Sequence, residues 1–336
     1  MQGLRWAGRV ASLVALGVAC TLFLLLANAR SLRPSTTGTP CCSGHYAIDD
    51  GKLLGCPYPS GDVWQRSVAS APLDPRSSAW LAAVMAGGGG GGFEASIPTN
   101  ELINVANDST PLVPVKPKVA WHKPYSPIPW EARFYIEPLS DHHSLVLQAK
   151  SCQYYEGYET TYSSDGFLSM YSNLHVDLTR AFVRPAKGAS TATAIPIGLI
   201  AIRPEELAAG NIRHALGWDA VAGALSQTDC VSPAAITDCT DGVPYKGPQG
   251  DVPMPYGAHA RLKASFDISG FSREAKIVAQ AMKTYGLFVY DTGCCSNEVV
   301  LVDDRYGAPA WTDDDARDLR RISPQDFEIV PPPSAP

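Results

Sequence analysis

Basic residues are scarce beyond the first 33 positions of this 336-residue chain. The sequence has 27 lysines and arginines against 33 aspartates and glutamates. Four of those arginines lie in the first 33 residues, which contain no acid, so the remainder carries 23 basic and 33 acidic residues and a net charge of −10. Nucleic-acid phosphates require clustered lysine and arginine, so this composition argues against a nucleic-acid partner and indicates a soluble acidic surface.

Several enzyme motifs are also missing. No G-x-S-x-G motif is present to carry a nucleophilic serine. The six consecutive glycines at 87–92 lack the lysine and Ser/Thr of a phosphate-binding loop, so we interpret them as a flexible spacer. No C-x-x-C pair is matched by a second pair of cysteines or histidines. We therefore expect neither a zinc site nor any other metal or cofactor.

The first thirty residues contain the one long apolar run. Residues 10–29 are uncharged and mostly apolar, with two arginines before them and two after them. Twenty residues at ~1.5 Å each span ~30 Å, about the thickness of a bilayer core. Ala27-Asn28-Ala29 also fits a small-x-small cleavage site, whereas a lipidated Cys20 fits its surroundings less well. Residues 1–30 are therefore a signal peptide or a signal-anchor transmembrane helix, and either predicts an extracytoplasmic protein, secreted or membrane-anchored.

The cysteines agree with an oxidising compartment. Eight of the nine follow the apolar run, and an even number in an exported protein predicts disulfides. Eight cysteines allow 105 pairings, so most of the connectivity stays open. Cys230 and Cys239 are close enough in sequence to close a small loop, and we predict a disulfide between them. The two pairs of adjacent cysteines more naturally reach distant partners, since bridging neighbours strains the peptide.

The rest of the chain predicts one folded domain. Residues 31–71 are rich in Pro, Gly and Cys and predict a linker or flap, while 72–330 predict a single β-rich domain followed by a disordered tail at 331–336. Many short alternating segments and 28 prolines favour a mainly β fold, an antiparallel β-sandwich or jelly-roll-like architecture with a few short helices. One well-defined helix is predicted near 273–285, ending at Gly286.

Four phrases within this domain carry a resemblance: PLDPRSSAWLAAV, HSLVLQAKSCQYYEGY, IRPEELAAGNIRHAL and RLKASFDISGFSREAKIVAQAMKTYGLFVYDTG. They resemble a functionally uncharacterised family of exported bacterial and fungal proteins, over roughly residues 72–330. The resemblance implies a single exported domain and brings no known reaction. The family has an acid after its apolar strand where this chain has Gln148, which argues against a catalytic role at that position.

Acids and histidines inside these phrases are the candidates for chemistry. Two carboxylates facing a groove suit glycosidic cleavage, and a histidine beside an acid can serve as a general base. We predict that Glu156, His214 and Asp267 converge on one groove, with the two acids as the acid/base pair and the histidine as a positioning or proton-transfer group. Five further residues are predicted to support or bind: Glu137, Asp141, His143, Lys263 and Asp291.

Each candidate also has a structural interpretation. His143 at a strand start can be solvated or bonded to the backbone, and His214 can be a satisfied buried imidazole. Asp267 can serve in a turn or as a cap. The functional prediction is a hydrolase or lyase acting on polysaccharide; the alternative is a non-catalytic carbohydrate-binding or cell-surface structural domain. The expected partners are a glycan and, if the leader is uncleaved, the membrane through residues 10–29.

Overall fold

The computed structural model describes residues 52–59, 63–95, 101–138, 141–183, 188–221, 223, 225–235, 253–293, 296–300 and 311–331. The predicted leader at 1–30, Cys239 and residues 332–336 of the predicted tail lie outside these ranges. Within them, no helix combines the length and the apolar character needed to cross a bilayer. Cys230 is exposed at the end of its strand, and its bridge to Cys239 stays a prediction.

The described part contains four α-helices and many short strands. The helices are α1 (Ser77–Ala86), α2 (Pro204–Ala209), α3 (Arg273–Thr284) and α4 (Asp313–Leu319). The strands are β1 (Phe93–Ala95), β2 (Ile103–Ala106), β3 (Leu112–Val113), β4 (Val115–Pro117), β5 (Ile128–Pro129), β6 (Ser144–Gln148), β7 (Gln153–Tyr158), β8 (Thr161–Tyr162), β9 (Leu168–Met170), β10 (Ser172–Asp177), β11 (Leu216–Val221), β12 (Leu225–Cys230), β13 (Met254–Tyr256), β14 (His259–Leu262), β15 (Leu287–Gly293), β16 (Asn297–Val299) and β17 (Phe327–Val330).

Two larger sheets organise these strands. The first has the order β1-β16-β11-β15-β14-β17, and the second has the order β10-β7-β6-β2. The predicted mainly β fold with few short helices is confirmed. The hairpin β6–β7 is antiparallel, whereas β11 and β15 pair in parallel, and the chain between them includes β12, β13, β14 and α3. Both sheets therefore mix antiparallel and parallel pairs.

Helix α3 follows from its sequence. Its apolar residues Ala275, Val278, Ala279 and Met282 recur on one face and are all fully buried. The chain leaves the helix through Gly286, whose φ of 78° lies in the left-handed region that glycine adopts readily. The predicted helix is thus confirmed. In the chain it lies between β14 and β15, which are neighbouring strands of one sheet.

The residues before position 72 also contribute to the core. Leu53, Cys56 and Trp64 are almost completely buried within the main hydrophobic cluster. Cys56 forms a disulfide with Cys152, which lies directly before β7 and 96 positions further along the chain. The described part of the predicted flap is therefore packed and covalently attached to the domain.

The loop between β10 and α2 connects the two larger sheets. Ser190 and Gly198 donate hydrogen bonds to the Glu156 carboxyl group on β7. Thr193 donates through its hydroxyl to the main-chain oxygen of Tyr290 on β15, at 2.7 Å. Because its side chains and amides are bonded to both sheets, this loop sets the distance between β7 and the face of β15 that carries the candidate site.

Candidate active site

Four acidic residues occupy matched positions on four neighbouring strands. Glu94 on β1 pairs with Glu298 on β16, Glu298 pairs with Asp219 on β11, and Asp219 pairs with Asp291 on β15. Directly paired residues project from the same face of a sheet, with Cβ atoms about 4.5–5.5 Å apart. The four carboxyl groups therefore form a continuous line, which we call the acid row.

A β-bulge creates the central pair of this row. Trp218 pairs with Val289, but the next residue, Asp219, pairs with Asp291, so Tyr290 is the extra residue on β15. In a regular ladder Asp219 would face Tyr290, and Asp291 would project from the opposite face. Bulges re-aim side chains and occur often beside active sites. Here the bulge sets two carboxyl groups side by side.

The electrostatics of the two central carboxyls differ. Burial and then the charges of Asp291 and Glu298 raise the pKa of Asp219 well above its ordinary value. Its Oδ1 atom is buried and has no hydrogen-bond partner among the described residues. Asp291 instead accepts hydrogen bonds from the main-chain amides of Thr292 at 2.8 Å and Ala192 at 3.3 Å. The surroundings of Asp219 therefore favour its neutral form, whereas the Asp291 carboxyl accepts two main-chain hydrogen bonds.

Two further titratable groups lie beside the central pair, Glu298 within the acid row and Tyr290 at the bulge. Burial raises the pKa of Glu298, and Glu94 adds to the rise, although the Ser296 hydroxyl opposes it. Burial also raises the pKa of Tyr290 well above its usual value, and the charges of Asp219 and Asp291 reinforce that shift. The bulge residue is therefore a neutral phenol within the field of the central pair.

A charged histidine faces the acid row. His143 is buried, with Nδ1 2.9 Å from Glu101 Oε1 and Nε2 2.8 Å from the main-chain oxygen of Ser190. Burial lowers its pKa, but the charge and hydrogen bond of Glu101 more than offset that effect and raise the pKa to about 10. Both ring nitrogens donate, so His143 supplies a fixed positive charge, and its field opposes the rise in the pKa of Asp219.

Glu156 lies in the interior, bonded to the connecting loop. It is 1% exposed and accepts hydrogen bonds from Tyr154 Oη at 2.5 Å, Gly198 N at 3.0 Å and the Ser190 hydroxyl. Burial raises its pKa to about 7, although these hydrogen bonds oppose the shift. Its oxygens are occupied by protein donors, so it acts structurally on the loop that carries Ala192.

His214 belongs to a second charged group, which we call the Arg203 cluster: Arg203, Glu206, His214 and Tyr58. Arg203 is 1% exposed and contacts Glu206 Oε1 at 2.5 Å and Tyr58 Oη at 2.9 Å. His214 is fully buried, 2.9 Å from Glu206 Oε1, and stacks on the Tyr58 ring. Burial raises the pKa of Glu206, but Arg203 and His214 outweigh it, so the net pKa shift is downward.

The predicted convergence of Glu156, His214 and Asp267 on one groove is wrong. Glu156 and His214 are linked through Gly198, whose amide donates to Glu156 and whose oxygen lies 3.4 Å from Arg203 Nη1. That link is buried. Asp267 lies beyond the end of β14 in an exposed turn, where it accepts a hydrogen bond from Ser269 N at 2.8 Å. The turn interpretation of Asp267 therefore holds, and its distance from the others follows from the early end of β14.

The five residues predicted to support or bind differ in their surroundings. Asp141, His143 and Asp291 all act electrostatically on Asp219. Glu137 is 1% exposed and accepts the main-chain amides of Asp141 and His142, so it holds the turn that leads to His143. Lys263 lies elsewhere, and its Nζ contacts the main-chain oxygen of Gln325 at 2.7 Å.

Sequence reasoning missed four acids of this site: Glu94, Glu101, Asp219 and Glu298. One signal was present, because the phrases GWDAV and VYDTG both place an aromatic residue and an aspartate near the end of an apolar strand. Without the pairing of β11 with β15, nothing relates the two aspartates to each other.

Comparisons and side-chain arrangement add two findings. Across the described ranges, no group of three or more His, Cys, Asp or Glu side chains is arranged to hold a metal ion. No family model matches the chain, and neither a curated protein nor a solved structure matches it.

Proposed function

We propose that this protein hydrolyses glycosidic bonds of a polysaccharide outside the cytoplasm, using Asp219 and Asp291. The observation that carries the proposal is the bulge that sets these two carboxyls opposite each other, with the pKa of Asp219 raised and Asp291 accepting main-chain hydrogen bonds. Glycoside cleavage requires a proton donor for the leaving oxygen and a carboxylate on the other side of the scissile bond. The central pair of the acid row supplies both groups.

The reaction balances with these two groups and water. Asp219 gives its proton to the glycosidic oxygen as the bond to the anomeric carbon breaks, and Asp291 forms an ester with that carbon. Asp219, now a carboxylate, takes a proton from water, whose oxygen displaces Asp291. Neighbouring strands lie about 4.8 Å apart, which is close to the carboxyl spacing of about 5 Å in retaining enzymes. We therefore expect retention of configuration.

The acid row favours hydrolysis over elimination. A polysaccharide lyase removes a proton beside a sugar carboxylate, so its substrate is an anionic chain. Glu94, Glu298 and Asp291 would repel such a chain, whereas an uncharged glycan avoids this cost. An uncharged polysaccharide is therefore the proposed substrate class.

The location outside the cytoplasm is supported by two features. The Cys56–Cys152 disulfide is typical of an oxidising compartment. The apolar run at 10–29 predicts export, with a membrane tether if it is not cleaved. A reporter fused after residue 60 that is active only in the cytoplasm would contradict this part of the proposal.

The test measures new reducing ends from β-glucan, xylan and mannan. Asp219→Asn and Asp291→Asn should each lower the rate by roughly 10²–10⁴-fold, the contribution of a positioned acid or base, without lowering the melting temperature. Asp267→Asn is the matched control and should leave the rate unchanged. Proton NMR of the first product should show the anomer of the substrate.

Two outcomes would change the conclusion. Full activity in Asp219→Asn or Asp291→Asn would remove the named residues from the reaction. Glycan binding without depolymerisation, retained in both variants, would establish a non-catalytic carbohydrate-binding domain instead. Trp121 is 48% exposed, and this exposed indole is the observation that favours the carbohydrate-binding alternative.

A further inference from the structure

A series of contacting aromatic rings runs from the protein surface to His143, whose charge acts on the acid row. The ring of Trp121 lies 5.5 Å from that of Tyr171, which lies 5.7 Å from that of Tyr158. Tyr158 lies 5.8 Å from the ring of His143, the charged histidine that faces Asp219. We call Trp121, Tyr171 and Tyr158 the aromatic track.

Exposure decreases along the track toward the site. Trp121 is 48% exposed, Tyr171 and Tyr158 are partly exposed, and His143 is buried. An indole that exposes half of its surface contributes little to the core. The rings pack edge to face, at 73° between Trp121 and Tyr171 and 85° between Tyr158 and Tyr171, so each ring offers its own apolar face and polar edge to a ligand.

The first ring is held in place before any ligand arrives. His122, directly after Trp121, is 3% exposed and lies 2.9 Å from Asn173 Oδ1 through Nε2. The Asn173 side chain also accepts a hydrogen bond from Tyr125 N at 3.0 Å and donates one to Tyr125 O at 2.9 Å. Asn173 therefore fixes both ends of the segment 121–125 to β10. Such preorganisation lowers the entropy cost of binding.

We propose that the aromatic track binds the sugar units next to the bond that is cleaved. This inference rests on the proposed hydrolysis and adds to it the surface that holds the chain. Pyranose rings have C–H faces that pack on aromatic rings and hydroxyls around the rim that bond to polar edges. The track ends at His143, whose charge acts on Asp219 in the acid row, and the acidic groups of that row disfavour an anionic chain. The proposed occupant is therefore an uncharged glycan.

The experiment measures binding without turnover. Full-length Asp291→Asn protein is titrated by calorimetry with gluco-, xylo- and manno-oligosaccharides of increasing length. In this background, Trp121→Ala should weaken binding of the longer oligosaccharides about tenfold, as expected for one lost stacking contact, and Trp121→Phe should restore part of the loss. Leu112→Ala removes a 62% exposed apolar side chain outside the track and should leave binding unchanged.

The outcomes separate this inference from the proposed reaction. Depolymerisation by the unaltered protein, with binding that Trp121→Ala does not change, would overturn the aromatic track and leave the reaction standing. Trp121-dependent binding without depolymerisation would support the track and overturn the reaction. Preferential binding of oligogalacturonate or of amino-sugar oligomers would refute the uncharged occupant. A drop in melting temperature shared by Trp121→Ala and Trp121→Phe, with equal loss of binding, would indicate a structural role and overturn the inference.

Discussion

The acid row and the Arg203 cluster use similar side chains in opposite ways. In the Arg203 cluster each buried charge meets an opposite charge or a hydrogen-bond partner, as with Arg203 and Glu206 at 2.5 Å. In the acid row, acidic side chains are paired across strands and Asp219 Oδ1 is buried without a partner in the described ranges. Cross-strand like charges destabilise a sheet. A charge-balanced network serves the fold, whereas an arrangement that costs stability indicates a functional site.

Removing the central cation tests the first half of this comparison. Arg203→Ala leaves Glu206 buried without its main partner and should lower the free energy of unfolding by about 3–5 kcal/mol. Urea titration at pH 7 measures the loss. Arg76→Ala is the control, because Arg76 also contacts an acid at 2.9 Å but its side chain is 53% exposed, so we expect a loss of about 1 kcal/mol or less. Equal losses would break the distinction between the two regions.

The second prediction concerns alkaline pH. Because the folded-state pKa of His143 is raised from 6.5 to about 10, its contribution is complete below pH 6.5 and is lost as pH rises towards 10. Stability should therefore fall by a few kcal/mol between pH 6.5 and 9, and His143→Gln should flatten that decline. Urea titrations across this range provide the measurement. An unchanged slope in the variant would show that the His143–Glu101 pair is not charged as described.

The third prediction has the opposite sign to an ordinary core substitution. Burial and the charges of Asp291 and Glu298 raise the pKa of Asp219 in the folded state, so this side chain costs stability at pH values above its unfolded pKa of about 3.9. Asp219→Asn removes that cost and should stabilise by about 1 kcal/mol or more at pH 7, with no gain near pH 3, where the unfolded aspartate is mostly protonated. Thermal unfolding at both pH values measures the difference.

Asp267→Asn is the control for that substitution. The main-chain amide of Ser269 lowers the pKa of Asp267, so the charged form is favoured in the folded state and its loss should destabilise at pH 7. Destabilisation by both substitutions at pH 7 would contradict the raised pKa of Asp219.

The smallest effect is expected at the end of the row. Glu94 is exposed and faces Glu298 across the β1–β16 pair. Glu94→Gln should stabilise by only a few tenths of a kcal/mol, near the lower limit for cross-strand charge pairs. It should also lower the pKa of Glu298, because Glu94 contributes to raising it. NMR titration of the Glu298 carboxyl carbon measures this shift, and no shift would mean that the row ends at Glu298.

Local patterns predicted the local structure. The apolar face of α3 repeats every three to four residues, and strand β7 is rich in tyrosine, so both were visible without any long-range information. The structural interpretation of His214 followed from its apolar neighbours, and that residue is indeed fully buried.

The pattern of apolar and polar residues along each strand could not predict the site. Asp219 and Asp291 are 72 positions apart, and their pairing requires the parallel register of β11 with β15 and a bulge at Tyr290. A shift of one residue would move Asp291 to the other face of the sheet. The prediction instead favoured Glu156, whose acidic side chain lies in a specific phrase but points into the interior.

The Cys56–Cys152 bond has a mechanical consequence. A pulling force applied to the chain between residue 52 and residue 331 follows the covalent chain through Cys56. The load then passes through the disulfide to Cys152 and bypasses the intervening chain, because the bond spans a 96-residue separation. Glu94 and Trp121 lie inside that bypassed loop. Glu94 and Trp121 would therefore lie outside the covalent load path between these two ends.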